Sequence, residues 1–395
     1  MPSRLAAATA AAATATLLAS ASPAAAQSAD VVGGPDLAGT GVVVEPGAPA
    51  LPQVAAASWL VADLDSGDVL AAKDAYGQYA PASTLKALTA LTLIPELPAD
   101  RVVQATFEDV NVEGSKVGVN EGVPYPVGEL FAALMMVSGN DAANVLASAA
   151  GGQERTAELM NARAEELGAL DTRAVNPHGL DAPGQVSSAY DLALIGRAGL
   201  EDPDFARYVS TEQASIAAPG GARIATANKN KLLYRYPGAL GIKNGYTNAA
   251  RASFIGAAER DGRRLVVTLM KADPRVFDEA VKLLDWGFSA TAATPVGELV
   301  APEPSATPTP AGAVGGPDEQ TSGTTASAAA APAPAPAVSG STGLPVTLAG
   351  LGLAAAALVA VRVRPVPAGR RPSRSRQPAP TQGRARPAAR QPARR

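Results

Sequence analysis

Ser83-Thr84-Leu85-Lys86 lies where a predicted pair of strands meets a predicted helix. Upstream, residues 58–63 and 68–72 are rich in apolar residues and are separated by the turn Asp65-Ser66-Gly67, which is typical of two adjoining strands. Downstream, an apolar run continues to residue 94, and the prolines that follow it end the helix. The sequence therefore predicts a strand-to-helix junction at Ser83.

The remaining segments with a regular hydrophobic pattern indicate the fold class. Two further strands are predicted at 252–258 and 264–271, around the turn Asp261-Gly262-Arg263. Helices are predicted at 129–137, 141–149, 153–167, 189–200 and 274–288. Strands at both ends of the patterned region, with helices between them, indicate an α+β fold with an antiparallel sheet flanked by helices and joined to a helical subdomain.

Two more short motifs follow in order, Ser138-Gly139-Asn140 and Lys243-Asn244-Gly245. Together with the first motif they are typical of a serine acyl-transfer enzyme that uses lysine as its base. Ser83 and Lys86 share one helix face because they are three residues apart. Burial and a second cation, Lys243, would lower the pKa of that lysine enough for it to accept the serine proton. An N-capping serine followed by a solvated lysine is the alternative.

The other motif residues have roles that complete this chemistry. Ser138 would relay the proton to the leaving amine, and Asn140 would hold the lysine and bond a substrate carbonyl. Lys243 would bind a substrate carboxylate. The backbone N–H groups of Ser83 and Tyr246 would form the oxyanion hole. A plain helix-capping turn is the alternative for residues 138–140.

Composition excludes several other chemistries. The chain has no cysteine, which excludes disulfides, thiolate catalysis and zinc–thiolate sites. It has a single histidine, His178, so histidine-rich metal sites and most serine–histidine triads are excluded as well. We therefore expect no metal and no cofactor, and we expect His178 to have a structural role.

The two ends of the chain have the composition of export and anchoring segments. Residues 1–26 predict a signal peptide and residues 27–56 a loose leader. The catalytic domain is predicted at 57–293, followed by a disordered spacer rich in Pro, Ala and Thr at 294–342. An apolar transmembrane helix is predicted at 343–361 and an Arg-rich cytoplasmic tail at 362–395.

This organisation predicts an exported protein whose catalytic domain lies outside the cell membrane. The tail contains eleven arginines and no acidic residue, so the rest of the chain is acidic and unsuited to nucleic acid. Leu344-Pro345-Val346-Thr347 resembles the start of a sortase signal, but Leu348 stands where that signal needs glycine. Attachment by sortase is the alternative to the membrane anchor.

Beyond the three motifs, four longer segments carry a family resemblance. They are Pro81-Ala82-Ser83-Thr84-Leu85-Lys86, Gly114-Ser115-Lys116-Val117-Gly118, Ser138-Gly139-Asn140-Asp141-Ala142-Ala143-Asn144 and Asn176-Pro177-His178-Gly179-Leu180-Asp181. On these segments the chain resembles the serine D-alanyl-D-alanine carboxypeptidases among the low-molecular-mass penicillin-binding proteins. The resemblance implies a DD-peptidase/β-lactamase-like fold and release of terminal D-Ala from peptidoglycan stem peptides through an acyl-enzyme on Ser83. It also implies inhibition by β-lactam antibiotics.

The resemblance also implies the site residues. The catalytic residues would be Ser83, Lys86 and Ser138, and the substrate-binding residues would be Asn140, Lys243, Asn244, Gly245 and Tyr246. The chain departs from the family pattern at Asn244, where threonine is usual, and at Arg251, where glycine is common. The amide of Asn244 can still donate a hydrogen bond, so rate and specificity are affected more than reaction type.

Three other functions use similar residues. A DD-endopeptidase would use the same set. A class A-like β-lactamase needs a deacylating glutamate in a Glu-x-x-Leu-Asn loop, and the nearest segment, Glu165-Glu166-Leu167-Gly168, has no asparagine. A weakly catalytic protein that binds stem peptides is the third alternative, and Asn244 is the residue that favours it.

Overall fold

The computed structural model describes residues 31–300, and its centre is a seven-stranded sheet. The strands are β1 (Val42–Val44), β2 (Ser58–Asp63), β3 (Asp68–Lys73), β4 (Val102–Gln104), β5 (Pro124–Pro126), β6 (Gln213–Ala217), β7 (Arg223–Ala227), β8 (Ala239–Thr247), β9 (Arg251–Arg260), β10 (Arg263–Ala272) and β11 (Gly297–Glu298). The sheet order is β1-β3-β2-β10-β9-β8, with β11 also pairing with β3. All of these pairings are antiparallel. Strand β4 pairs with β5, and β6 with β7, in two separate two-stranded sheets.

Helices pack on the sheet and form a helical subdomain. They are α1 (Lys86–Leu93), α2 (Phe107–Val110), α3 (Val127–Met136), α4 (Asn140–Ala149), α5 (Gln153–Glu166), α6 (Ala189–Glu201), α7 (Pro203–Ser210), α8 (Leu232–Arg235) and α9 (Val276–Ser289). The α+β class and the antiparallel sheet flanked by helices are confirmed. A 3-10 helix, Ala82–Leu85, precedes α1, so Ser83 lies just before the α-helix rather than in its first turn.

The sheet is buried on both faces because its central strands alternate apolar residues between two cores. Leu60 and Val266 pack in the core that contains α1 and α6, whereas Val61 and Val267 pack in the core that contains α9. Successive residues of a strand point to opposite faces, so strands that are apolar throughout are covered on both sides. The sheet is thus a rigid central layer on which the site is built.

The ordered fold extends beyond the predicted domain of residues 57–293. Val42–Val44 pairs with β3, although residues 27–56 were predicted as a loose leader, and Gly297–Glu298 pairs with β3 as well. The backbone N–H of Glu298 donates to the Gly33 carbonyl at 2.8 Å. These pairings satisfy the backbone groups of β3, which would otherwise be an unpaired edge.

The predicted signal peptide, the transmembrane helix, the Arg-rich tail and nearly all of the spacer lie outside the described residues. Within residues 31–300, no helix combines the length and the apolar character that crossing a membrane requires.

A buried polar network lies at the start of α6. Asp191 is almost fully buried, and its carboxylate accepts a hydrogen bond from the Thr172 hydroxyl at 2.7 Å. The Thr172 hydroxyl is also 2.9 Å from that of Ser187, and the backbone N–H of Asp191 donates to the Ser188 hydroxyl. Burial raises the pKa of Asp191 to about 7. The folded protein therefore favours the protonated form of this carboxyl.

Replacement of Asp191 by asparagine is expected to flatten the pH dependence of stability. Folding raises the pKa of the Asp191 carboxyl from 3.8 to about 7. The stabilisation that this carboxyl contributes to the folded state is therefore fully present below pH 4 and is lost as the pH rises through 7. The loss amounts to at most about 4 kcal/mol, and an asparagine at this position has no charge to bury. The free energy of unfolding, measured by denaturant between pH 4 and pH 8, should fall less in Asp191→Asn than in the wild type. The exposed Asp261→Asn is the control, and an equal fall in all three proteins would contradict the prediction.

Candidate active site

The predicted nucleophile and base are in contact at the start of α1. Lys86 is fully buried, and its Nζ lies 3.0 Å from Ser83 Oγ. The same Nζ lies 2.7 Å from Asn140 Oδ1 and also donates to the backbone carbonyl of His178. Three oxygen atoms from three separate segments therefore surround one lysine nitrogen.

This arrangement fits a neutral lysine. An uncharged amine has two N–H donors and one lone pair. In the uncharged form, the two donors would go to the Asn140 and His178 oxygens, which accept only, and the lone pair would face the Ser83 hydroxyl. Burial lowers the pKa of Lys86 well below its ordinary value, and the charges of Lys243 and Lys229 lower it further, against Asp141, which raises it. Lys86 can therefore accept the proton of Ser83.

The start of α4 holds a neighbouring segment against the site. Asn140 Nδ2 donates to the Glu113 carbonyl at 2.7 Å. The buried carboxylate of Asp141 accepts hydrogen bonds from the backbone N–H groups of residues 117–119, at 2.8 to 3.1 Å. Residues 113–119 are thus wrapped around the first turn of α4, and this fixes the side chain of Asn140 next to the lysine.

Ser138 lies in the turn between α3 and α4, as predicted. It is buried and has a positive φ of 65°. Within the described part of the chain, its hydroxyl has no hydrogen-bond partner. Because Ser138 adopts the left-handed backbone conformation, the chain can turn between the end of α3 and the start of α4 at Asn140. The Ser138 hydroxyl is available to a bound substrate.

The third motif lies on β8, an edge strand that the sequence did not predict. Lys243 is only 1% exposed, and its Nζ donates to the Asn244 carbonyl at 2.8 Å. Burial lowers its pKa to about 7, and the charge of Lys229 adds to the effect. The ammonium predicted to meet a substrate carboxylate is thus enclosed.

Gly245 sets how closely β8 approaches the nucleophile. A Cβ at this position would lie 2.6 Å from the backbone nitrogen of Ser83 and 2.7 Å from Ser253 Oγ. Only glycine allows this approach. It brings the strand that carries Tyr246, whose side chain is 53% exposed, against the Ser83 backbone N–H. The two groups predicted to form the oxyanion hole are therefore on adjoining segments, and Asn244 is half-buried beside them.

A turn at residues 176–179 also contributes to the site, and the sequence indicated only that it is structural. Asn176 Oδ1 accepts hydrogen bonds from the backbone N–H groups of His178 and Gly179. The Thr89 hydroxyl donates to the Pro177 carbonyl at 2.7 Å, which fixes the turn on α1. The histidine contributes its backbone carbonyl rather than its ring, whose pKa falls to about 4 chiefly through burial.

The fold and this cluster define a class of protein, the serine enzymes that transfer acyl groups with a lysine base. The family model described as D-alanyl-D-alanine carboxypeptidase, peptidase S11, matches residues 45–274. The chain therefore belongs to this family. It is 45% identical over 256 residues to the D-alanyl-D-alanine carboxypeptidase DacB2 of Mycobacterium tuberculosis, an alignment that covers 63% of this chain and 88% of the relative. It is 36% identical over 258 residues to DacD of Escherichia coli, covering 61% and 65%.

Solved structures agree with this assignment. A putative penicillin-binding protein homolog from Mycobacterium tuberculosis superposes with a TM-score of 0.63 at 44% identity, covering 65% of this chain and all of that one. Penicillin-binding protein 6B from Escherichia coli superposes with a TM-score of 0.56 at 35% identity, covering 62% and 80%. The family resemblance noted in the sequence is thereby confirmed.

Proposed function

We infer that this protein is a serine DD-carboxypeptidase that removes the terminal D-Ala from peptidoglycan stem peptides. The observation that carries this inference is the contact of a fully buried Lys86 with Ser83, in a chain of the D-alanyl-D-alanine carboxypeptidase family. The reaction forms an acyl-enzyme on Ser83, and β-lactams inhibit it by acylating the same residue.

The geometry supports the following steps. Lys86 takes the proton of Ser83, and the serine oxygen attacks the carbonyl carbon of the penultimate D-Ala. The backbone N–H groups of Ser83 and Tyr246 stabilise the oxyanion. Ser138 passes its proton to the nitrogen of the leaving D-Ala as the peptide bond breaks, and it receives in turn the proton that Lys86 took from Ser83. Water then attacks the ester carbonyl carbon while Lys86, again an amine, accepts its proton. Lys86 returns that proton to the Ser83 oxygen as the ester C–O bond breaks and the shortened peptide leaves.

The alternatives have less support. A class A β-lactamase needs a deacylating glutamate, and the most similar segment of this chain lies at the end of α5. There Glu166 forms a surface ion pair with Arg163 at 2.9 Å. That position does not suit a deacylating base. A protein that only binds peptides would not need a buried lysine in contact with a serine. An endopeptidase would use the same residues on a cross-linked substrate.

The test compares three substrates with the full-length protein. We expect D-Ala release from an acylated Lys-D-Ala-D-Ala tripeptide, measured by a coupled D-amino acid oxidase assay, and only slow turnover of benzylpenicillin after a covalent adduct forms. Faster cleavage of a cross-linked muropeptide dimer would favour the endopeptidase. Rapid penicillin hydrolysis would favour the β-lactamase, and binding without any turnover would favour a binding protein.

We also propose that the protein is exported and anchored in the cell membrane. The apolar segment 343–361 and the arginine-rich residues 362–395 that follow it support this arrangement. Detergent should extract the protein from cells without prior digestion of the wall. Release only after muramidase treatment would instead support attachment by sortase.

A further inference from the structure

A buried hydroxyl outside the three motifs lies next to the turn that carries the nucleophile. Ser253 is on β9, and its side chain is 0% exposed. Its Oγ donates to the backbone carbonyl of Pro81, two residues before the nucleophile, at 2.6 Å. This hydroxyl therefore connects the central sheet to the 3-10 helix that contains Ser83.

A second hydroxyl donates to the same carbonyl. Thr84 directly follows the nucleophile and is fully buried, and its Oγ1 lies 2.6 Å from the Pro81 oxygen. The oxygens of the Thr84 and Ser253 hydroxyls lie 3.4 Å apart. A carbonyl oxygen has two lone pairs, so it can accept a hydrogen bond from each hydroxyl. The Pro81 carbonyl is thus held both from the sheet and from the helix of the nucleophile itself.

The residue between this carbonyl and the nucleophile has a strained backbone. Ala82 has a φ of +49°, in the left-handed region that residues other than glycine rarely adopt. Such a conformation persists only where the surrounding structure holds it. The two hydroxyls hold the Pro81 carbonyl on one side of Ala82, and Gly179 packs against the Ala82 carbonyl on the other. Loss of a hydroxyl would let this turn relax and would shift the backbone N–H of Ser83.

The Ser253 hydroxyl also lies against the strand that supplies the second predicted donor of the oxyanion hole. Ser253 is paired with Gly245 of β8 in the antiparallel register. A Cβ on Gly245 would lie 2.7 Å from Ser253 Oγ and 2.6 Å from the Ser83 nitrogen. Tyr246, whose backbone N–H is the second donor, is the next residue of β8. Ser253 is therefore located where the two segments that carry the donors meet.

We propose that Ser253 is a positioning residue, whose hydrogen bond to Pro81 sets the spacing of the two N–H groups of the oxyanion hole. Thr84 supports it through the same carbonyl. The proposal rests on the proposed function and adds two positioning residues to it. An oxyanion hole works because its donors are already placed where negative charge develops, so a small displacement weakens the transition state more than the bound ground state. Ser253 therefore affects kcat rather than KM.

The first test compares two serine variants of the full-length protein in D-Ala release from acylated Lys-D-Ala-D-Ala. Ser253→Ala should lower kcat by roughly 10- to 100-fold, the range expected for a displacement of up to about 1 Å, and should leave KM nearly unchanged. Ser58→Ala is the matched control, because Ser58 is a fully buried serine of β2 whose hydroxyl has no partner within residues 31–300. A kcat equal to that of the control, or a loss in KM alone, would overturn the proposal.

The second test removes the other hydroxyl and uses a threonine of α1 as its control. Thr84→Val should lower kcat about 10-fold, the value of one hydrogen bond, whereas Thr84→Ser keeps the hydroxyl and should keep most of the activity. Thr92→Val should behave as the wild type, since the buried Thr92 hydroxyl has no partner in the described part of the chain. Equal losses in both Thr84 variants would overturn the role of this hydroxyl. These variants also test the Pro81 contact if Ser253→Ala does not fold.

Benzylpenicillin gives a readout that a merely structural change would not move. Acylation of Ser83 and hydrolysis of the resulting ester both pass through a tetrahedral intermediate whose oxyanion lies in the same hole. Both rate constants, followed by intact mass, should therefore fall in Ser253→Ala, while the dissociation constant of the reversible complex stays the same. A fall in acylation alone would place the effect on the attack by Ser83 and would overturn a role in the oxyanion hole.

Failure of the proposed function would give a different result. A wild type that releases no D-Ala but is acylated by benzylpenicillin would disprove the carboxypeptidase activity. The two penicillin rate constants would then decide the role of Ser253 by themselves. A wild type that forms no adduct would overturn both proposals, because no acyl transfer to Ser83 would remain for Ser253 to support.

Discussion

Replacement of Ser83 by alanine is expected to abolish D-Ala release and covalent labelling by penicillin. The Ser83 hydroxyl is the group that Lys86 Nζ contacts at 3.0 Å, and no acyl-enzyme can form without it. Loss of the nucleophile from an enzyme of this kind lowers kcat by roughly 10⁴-fold or more. The measurement is D-Ala release together with the intact mass after incubation with benzylpenicillin.

Two other serine variants make this result specific. Ser138→Ala should still form the penicillin adduct, at a reduced rate, because this serine acts on the leaving group rather than as the nucleophile. Ser66→Ala, in an exposed turn, should behave as the wild type. An adduct of full mass on Ser83→Ala would show that another residue is the nucleophile.

Replacement of Gly179 by alanine is expected to damage both folding and activity. Gly179 has a φ of +79°, and a Cβ there would lie 1.9 Å from the carbonyl oxygen of Ala82, the residue before the nucleophile. Either the turn or the 3-10 helix must move, which would displace the His178 carbonyl or Ser83. We expect a loss of stability on the order of 3 kcal/mol and at least about a 100-fold loss of kcat/KM.

Gly262 provides the matched control for this substitution. Its φ is +80°, and nothing lies within 4 Å of its missing Cβ, in the turn between β9 and β10. Gly262→Ala should lower the free energy of unfolding by only about 1 kcal/mol, the cost of placing alanine in the left-handed conformation, and should leave kcat/KM unchanged. Thermal melting and D-Ala release on both variants separate backbone strain from the clash. Similar activity in the two variants would contradict the role of the turn in positioning Ser83.

The elements with clear hydrophobic periodicity were predictable. Strands β2, β9 and β10 are nearly continuous apolar runs, and α3, α4 and α6 begin and end within two residues of the predicted bounds. Strand β8 was missed because a lysine and two glycines interrupt its apolar pattern. The hairpin β6–β7 was missed because β7 is mostly exposed, so no buried face marks it.

The sequence predicted the site residues that contribute a side chain of distinct chemistry. It did not predict the contacts that are made by backbone groups. Lys86 and Asn140 were assigned from their motifs, and the structure brings their side chains into contact. The carbonyl of His178 carries no residue-type signal, because every residue has one. The carboxylate of Asp141 binds backbone N–H groups that are close only in the folded chain, so its contribution required the structure.

The leader prediction shows a limit of composition as a guide. Residues 27–56 are rich in Gly, Pro and Ala, a composition that favours loose chain. The valines of β1 nevertheless pair with β3, because the unpaired N–H and C=O groups of a sheet edge can bind a short strand that has no regular hydrophobic pattern. A three-residue strand is too short for periodicity to reveal.

The placement of β11 has a mechanical consequence. Residues 297–300 leave the sheet along β3 and the Tyr190 hydroxyl, which donates to the Glu298 carbonyl and accepts from the Val300 N–H. Strand β8, with the third motif, is the opposite edge of the sheet. Tension applied from the C-terminal side would first separate this two-residue strand from β3. Strand β8, which carries the third motif, is thus separated by four strands from the point at which such a load would act.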